Sequence, residues 1–323
     1  MLNYRGRFCR VESTNKFFKK KLFSSKNIKM ASANTVKYFG YGSNLNAEDF
    51  TNWCNRMGFG GARLVPVSPA WLIDHKLQFH YFSSGRKGGA ADVVEDAGMA
   101  VPGVLFEVPE NTLEALDSKE GHPLFYQKEK VVVCTPYLEL VEAITYKVAG
   151  NRRKEEHVKP TKEYVKLIEG GLRKFGLPTS MLSMSTTQFV QEENMKSVFV
   201  YGTLLRGQPL NYAMVSRNKP TSVKEASVKG ALYDLEDFPG LRPGDYVVKG
   251  ELYSYDTPMR PLLTELDAIE GHEGWGRGLY ERVVVPVTVD GEIVWAWAYL
   301  LCSKEYDGTE GLITSGSWIE RTS

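Results

Sequence analysis

One heptapeptide pattern, Leu-Asp-x-x-Glu-Gly-His, occurs twice in this chain, at Leu116–His122 and again at Leu266–His272. A second pair of stretches lies upstream in the same order. Tyr38-Phe39-Gly40-Tyr41-Gly42-Ser43-Asn44-Leu45 opens the first half, and Val198-Phe199-Val200-Tyr201-Gly202-Thr203-Leu204 opens the second. Two motifs repeated in one order imply two copies of one folding unit. In each copy an apolar run enters a Tyr-Gly-(Ser/Thr) turn, and a later helical segment ends on a Glu followed by Gly. The duplicated turn and the duplicated carboxylate are therefore the candidate parts of a duplicated site.

The 323 residues suffice for two domains of ordinary size, each able to bury a core of its own. The expected division is a basic extension over 1–35, a first domain over 36–187, a linker over 188–196 and a second domain over 197–323. Residues 1–30 carry three Arg and six Lys against the single acid Glu12. That composition resembles a mitochondrial transit peptide; a disordered basic tail, or a start at Met30, fits it too. With 40 basic and 39 acidic residues in the whole chain, the remainder is net acidic. A net-acidic body argues against a nucleic-acid groove, which needs clustered cations. The four cysteines, Cys9, Cys54, Cys134 and Cys302, form no C-x-x-C pair, which points to a reducing compartment, the cytoplasm. The longest strongly apolar run, Ile293–Cys302, is about half of what a bilayer span needs, so no membrane partner is expected.

Strands are expected in the first half at Val36–Phe39, Ala62–Val67, Lys76–Phe82, Gly103–Val108, Glu129–Cys134 and Glu142–Val148. In the second half they are expected at Ser197–Val200, Val228–Tyr233, Tyr246–Tyr255, Arg282–Val289 and Glu292–Leu301. The last two flank Asp290-Gly291, a strong hairpin signal. Helical spacing predicts Asn46–Met57, Glu110–Glu120, Thr161–Phe175, Gln208–Arg217 and Thr257–Glu270. The glycine-rich stretch Gly85–Ala91 reads as a mobile loop, and the charge cluster at 151–157 as a solvated one. Strands dominate both halves, so the expected fold class is α+β: two copies of a small mixed-sheet, barrel-like domain.

The turn Gly40-Tyr41-Gly42 lacks the third glycine of a dinucleotide fingerprint, because Leu45 stands at that position. No Gly-Lys-(Ser/Thr) follows, and no G-x-S-x-G elbow occurs. What remains is either a plain tight turn or a nest of backbone N–H groups able to hold a carboxylate. Glu120 and Glu270 read either as solvated residues before a capping glycine or as general bases. A helix C-terminus disfavours a carboxylate, and so would raise its pKa toward a useful range. His122 and His272 suit the same helix ends for structural reasons, with a catalytic role as the alternative, and no ligand spacing marks a metal site.

On these residues the chain resembles the gamma-glutamylcyclotransferase superfamily in tandem. The first half is similar to gamma-glutamylcyclotransferase itself through Tyr38–Leu45, Leu116-Asp117-x-x-Glu120-Gly121, Tyr126 and the helix near Tyr164–Gly176. The second is similar to the gamma-glutamylamine cyclotransferase branch through Val198–Leu204 and Arg206-Gly207. The resemblance implies a small mixed barrel and release of 5-oxoproline from a small gamma-glutamyl compound, with no metal, nucleotide or other cofactor. It puts the catalytic carboxylates at Glu120 and Glu270. Substrate-holding positions fall on Tyr41, Gly42, Ser43, Asn44, Leu45 and Tyr126, and on Tyr201, Gly202, Thr203, Leu204 and Tyr280. The insertion Glu273-Gly274-Trp275-Gly276 precedes Tyr280 and is expected to reshape that side of the second pocket. Each half holds its own turn and Glu, so the two sites are expected to act independently. The leaving group is open among an amino acid, cysteinylglycine and a lysine-type amine. Two other readings stay open: a hydrolase of gamma-glutamyl amides, and a binding module without turnover in one or both halves.

Overall fold

The computed structural model describes residues 35–187, 193–302 and 311–321. The basic segment 1–30 and residues 188–192 of the expected linker lie outside them. Among the described residues, ten strands form two closed barrels. In the first, β1 (Thr35–Gly40), β2 (Val65–Ser83), β3 (Gly88–Pro109), β4 (Tyr126–Cys134) and β5 (Leu140–Val148) run in the order β1-β3-β2-β4-β5. The parallel pairing of β1 with β5, Tyr38 opposite Ile144, closes the ring. In the second, β6 (Ser197–Val200), β7 (Ser222–Asp234), β8 (Pro239–Ser254), β9 (Tyr280–Val289) and β10 (Glu292–Leu301) run in the order β10-β6-β8-β7-β9. There the parallel contact sets Val198 opposite Trp297.

The helices are α1 (Ala47–Arg56), α2 (Glu110–Glu120), α3 (Lys162–Lys174), α4 (Ser180–Ser185), α5 (Tyr212–Val215) and α6 (Arg260–Glu270). Asn46 caps α1 by accepting from the Asp49 N–H at 3.0 Å, and Thr161 caps α3 in the same way from Tyr164. Among the described residues, none of the helices is long and apolar enough to cross a membrane.

The α+β class and the duplication stand as expected, and the α2 helix and β10 strand keep their expected bounds. Other expectations change. The three separate runs between Ala62 and Val108 are parts of two long strands, β2 and β3, bent by register shifts at Pro66/Ser68, Ile73/His75 and Phe79/Tyr81. Gly88–Ala91 belongs to β3 and is buried. A Cβ on Gly89 would lie 1.9 Å from the Val158 carbonyl oxygen, so this glycine permits close packing of backbones. In the charged loop, Arg153 bonds the fully buried Asp92 at 2.9 Å, although most of its neighbours are exposed. The expected Gln208–Arg217 helix shrinks to α5, because hydrogen-bonded turns occupy the residues before it.

The two barrels pack directly on each other. Trp71 of β2 meets Trp295 of β10 with ring centroids 5.3 Å apart, and Cys134 Sγ lies 3.7 Å from the Val284 carbonyl. Arg260, which starts α6, pairs with Asp96 of β3.

Candidate active sites in the two barrels

Each site begins with how its helix stops. Gly121 and Gly271 adopt left-handed φ values of 62° and 63°, which glycine takes without a side-chain penalty. The next N–H folds back: His122 donates to the Asp117 carbonyl at 2.9 Å and His272 to the Asp267 carbonyl at 2.8 Å. Glu120 and Glu270 are thereby the last residues of α2 and α6.

The aspartate of the repeated motif anchors that helix to the last strand of its barrel. Asp117 accepts from the Tyr146 hydroxyl at 2.6 Å and pairs with Lys128 at 2.8 Å. Asp267 accepts from the Tyr299 hydroxyl at 2.7 Å and pairs with Arg282 at 2.8 Å. The tyrosine of each turn is pinned to the same strand. Tyr41 donates to the Tyr146 carbonyl, and Tyr201 to the Tyr299 carbonyl at 2.7 Å. Tyr126 donates to the Ala91 carbonyl at 2.9 Å, and Tyr280 to that of Pro239. These four hydroxyl protons are committed to backbone, so toward a ligand the phenol oxygens can only accept.

The turns close alike, with Leu45 N–H to the Gly42 carbonyl at 3.1 Å and Leu205 N–H to that of Gly202 at 3.0 Å. In the first turn a short 3₁₀ helix, Ser43–Leu45, begins after Gly42. The first N–H groups of such a helix have no partner within it and remain available to an acceptor.

The first cavity, about 30 Å³, is lined by Tyr41, Gly42, Ser43, Asn44, Glu120 and Tyr126, together with Tyr38, Ala91, Tyr146 and Tyr164. The second, about 130 Å³, is lined by Tyr201, Gly202, Thr203, Leu204, Glu270 and Tyr280. Apolar side chains complete it, among them Leu210, Phe238, Ile269 and Leu279, with Tyr299. Of the expected site residues only Leu45 is not on a cavity wall. It sits behind the turn, where a Cβ on Gly171 of α3 would lie 2.3 Å from the Leu45 Cβ. The 273–276 insertion is not on the second cavity either. Gly274 and Trp275 line a separate cleft of about 460 Å³ between the barrels. Sequence reasoning missed Tyr38, Tyr146, Tyr164 and Tyr299. The signal for one pair was available: Tyr146 and Tyr299 both lie in the last strand of a half, and each bonds the aspartate of the repeated motif.

The two glycines of the turns have different reasons. A Cβ on Gly202 would lie 2.3 Å from Pro239 Cγ, so packing excludes it. A Cβ on Gly42 would meet the Tyr164 hydroxyl at 3.5 Å and the Ala91 Cβ at 3.9 Å, ordinary contacts within the small first cavity.

Electrostatically the sites diverge. Asn44 Nδ2 donates to Glu120 Oε1 at 2.9 Å and to the Tyr38 hydroxyl at 2.8 Å, while its Oδ1 accepts from Lys119 at 2.6 Å. Lys119 also reaches Asp49 at 3.4 Å, and Arg86 grips Asp49 and the Ser43 hydroxyl. Burial pushes the Glu120 carboxyl above the usual glutamate range, opposed by Lys119, the Asn44 bond and Arg86. In the second barrel, Val198, Leu204 and Ile269 stand where Tyr38, Asn44 and Lys119 stand in the first. There burial alone raises Glu270, to about 7. In both cases burial, rather than the helix end, is the leading cause. The histidines are structural in their contacts. His122 Nδ1 lies 3.3 Å from the Lys128 N–H nitrogen and 3.3 Å from the Tyr126 carbonyl oxygen, and His272 pairs with Glu281 at 3.2 Å.

Each of the two barrels thus sets a glycine turn and a helix-ending Glu on the wall of one small cavity. The family described as gamma-glutamyl cyclotransferase, AIG2-like, matches residues 38–166 and 198–320, and this chain belongs to that family. A gamma-glutamylcyclotransferase of Bos taurus is 29% identical over 161 residues, 48% of this chain and 80% of its own length. The gamma-glutamylcyclotransferase family protein YtfP of Escherichia coli K12 is 31% identical over 125 residues, 38% of this chain and 96% of its own. A solved gamma-glutamyl cyclotransferase structure covers 50% of this chain and 92% of its own at 25% identity, with a TM-score of 0.40.

Proposed function

We propose that each barrel carries a gamma-glutamylcyclotransferase site, with Glu120 and Glu270 as general acid–base groups. The substrate's alpha-amine attacks its own gamma-carbonyl carbon, forming a ring C–N bond and a tetrahedral oxyanion. Collapse of that oxyanion breaks the original gamma-amide C–N bond. The Glu takes the proton from the attacking amine and returns it to the departing nitrogen, so no water is consumed and 5-oxoproline leaves with a free amine. Both reacting groups belong to one molecule, so holding it folded supplies much of the rate. The backbone N–H groups of the turn serve the alpha-carboxylate or the oxyanion.

The observation that carries this reading is a Glu of raised pKa facing a glycine turn in both cavities, retained while the polar network around it changes. Both cavities are smaller than the roughly 300 Å³ or more usual for drug-sized ligands. The second wall, with Leu204, Leu210 and Phe238, suits a less polar leaving group than the first, with its Asn44 and Lys119 network. The test is a panel of gamma-glutamyl amino acids, peptides and amines with products identified by mass. The reading expects 5-oxoproline. Glutamate would mean hydrolysis, and binding without product would mean a non-catalytic module.

A further inference from the structure

The network behind Glu270 is completed by the other barrel. Asp267, one helical turn before Glu270, holds the Tyr299 hydroxyl at 2.7 Å, and Tyr299 lines the second cavity. Asp267 is held in turn by Arg282 Nη1 at 2.8 Å. The other terminal nitrogen of Arg282 donates to Asp74 Oδ1 at 2.6 Å, and Asp74 belongs to β2 of the first barrel. Asp74 is itself fixed. It sits at the Ile73/His75 register shift with φ 55°, and its Oδ1 also accepts from the Gly98 N–H at 2.8 Å.

The first barrel lacks this dependence. Lys128 follows Tyr126 by two residues, as Arg282 follows Tyr280. Lys128 is 26% exposed and pairs with Asp117 of its own barrel. Arg282 is 4% exposed, stacks over Trp297 and already has an Nε without an acceptor. A buried guanidinium that loses one of two carboxylates is left with further unsatisfied donors, which disrupts its surroundings. A partly exposed lysine has water to fall back on.

We propose that Asp74 is a positioning residue for the second site, acting across the barrel interface through Arg282 and Asp267 on Tyr299 and on the end of α6. The two sites are then not independent: the second needs the first barrel beside it, whereas the first completes itself. This rests on the reading of Glu270 as a catalytic group.

The test uses the full chain in two backgrounds, Glu120→Gln to isolate the second site and Glu270→Gln to isolate the first. Asp74→Ala in the first background should lower kcat for 5-oxoproline release about 10- to 100-fold, as displacement of a reacting group does. Asp74→Asn keeps the Oδ1 acceptor and should restore most of it. Neither change should alter release in the Glu270→Gln background. A second readout is independent of turnover. The Glu270 carboxyl, followed by NMR with ¹³C-labelled glutamate, should titrate lower in Asp74→Ala than in the parent, because a loosened site admits water. Equal losses in both backgrounds, or an unchanged Glu270 titration, would overturn the positioning role. A Glu120→Gln protein without activity would instead refute the catalytic reading of the second site, and the titration would still decide the role of Asp74.

Discussion

Asn44 donates a hydrogen bond to Glu120 at 2.9 Å, and in the second barrel Leu204 stands in its place opposite Glu270. The exchange is one of three made together: Tyr38, Asn44 and Lys119 against Val198, Leu204 and Ile269. A buried polar network is favourable when every member is satisfied and costly when one is missing, so it is kept or replaced as a set. Asn44→Leu alone should therefore take from the Tyr38 hydroxyl its Asn44 donor and leave the Lys119 ammonium with its longer contact to Asp49, destabilising the protein by roughly 1–3 kcal/mol. Adding Lys119→Ile should recover part of that loss. Equilibrium unfolding of the two single variants and the double variant gives the coupling, and strict additivity would show that Asn44 and Lys119 do not act together.

The pH dependence should differ between the sites. A general base works as the carboxylate, so activity falls as pH drops through the carboxyl pKa. With Glu270 raised to about 7, second-site activity in the Glu120→Gln protein should fall to about half near pH 7 and decline further below it. A flat profile between pH 5 and 8 would contradict burial of the Glu270 charge.

The same burial has a stability consequence whose sign is fixed. A folded-state pKa raised from 4.5 to about 7 means that the folded protein holds this proton more tightly than the unfolded chain. The associated stability is full below pH 4.5 and is lost as pH rises through about 7, a cost on the order of 3 kcal/mol at pH 8. Glu270→Gln should therefore raise the unfolding free energy over the parent at pH 8, with the advantage shrinking toward pH 5. Unfolding curves at the two pH values measure it, and an advantage of equal size at both would mean that the carboxyl is solvated.

The turn glycines should respond oppositely. Gly42→Ala meets no protein atom closer than 3.5 Å, so it should fold normally and weaken substrate binding at the first site. Gly202→Ala drives a methyl against Pro239 and should cost about 1–3 kcal/mol of stability. Thermal unfolding together with substrate titration separates the two effects. A destabilised Gly42→Ala variant would mean that its space is needed by the fold rather than by a ligand.

Much of this was legible in the sequence because it repeats. The helix over Glu110–Glu120, its stop at Gly121 and the hairpin at Asp290-Gly291 are local signals, written in neighbouring residues. The Tyr-Gly turn and Glu120, about eighty positions apart, were linked by their recurrence in a fixed order. What stayed hidden depends on partners distant in sequence. Gly88–Ala91 looked like a loop because its glycines serve close approach to Val158, seen only once the chain is folded. Tyr164 reads as one residue of an apolar stripe, and only the packing of α3 on the turn brings it to the cavity. Asp74 carries no motif at all, and its contact with Arg282 spans 208 residues.

Release of 5-oxoproline by the parent, Glu120→Gln, Glu270→Gln and the double variant, across one panel of gamma-glutamyl substrates, tests the central claim most directly. Each single variant should lose activity by at least about 10²-fold on the substrates of its own site and keep it on those of the other. The double variant should be silent on every substrate. Full 5-oxoproline release by the double variant would contradict the assignment of these two carboxylates.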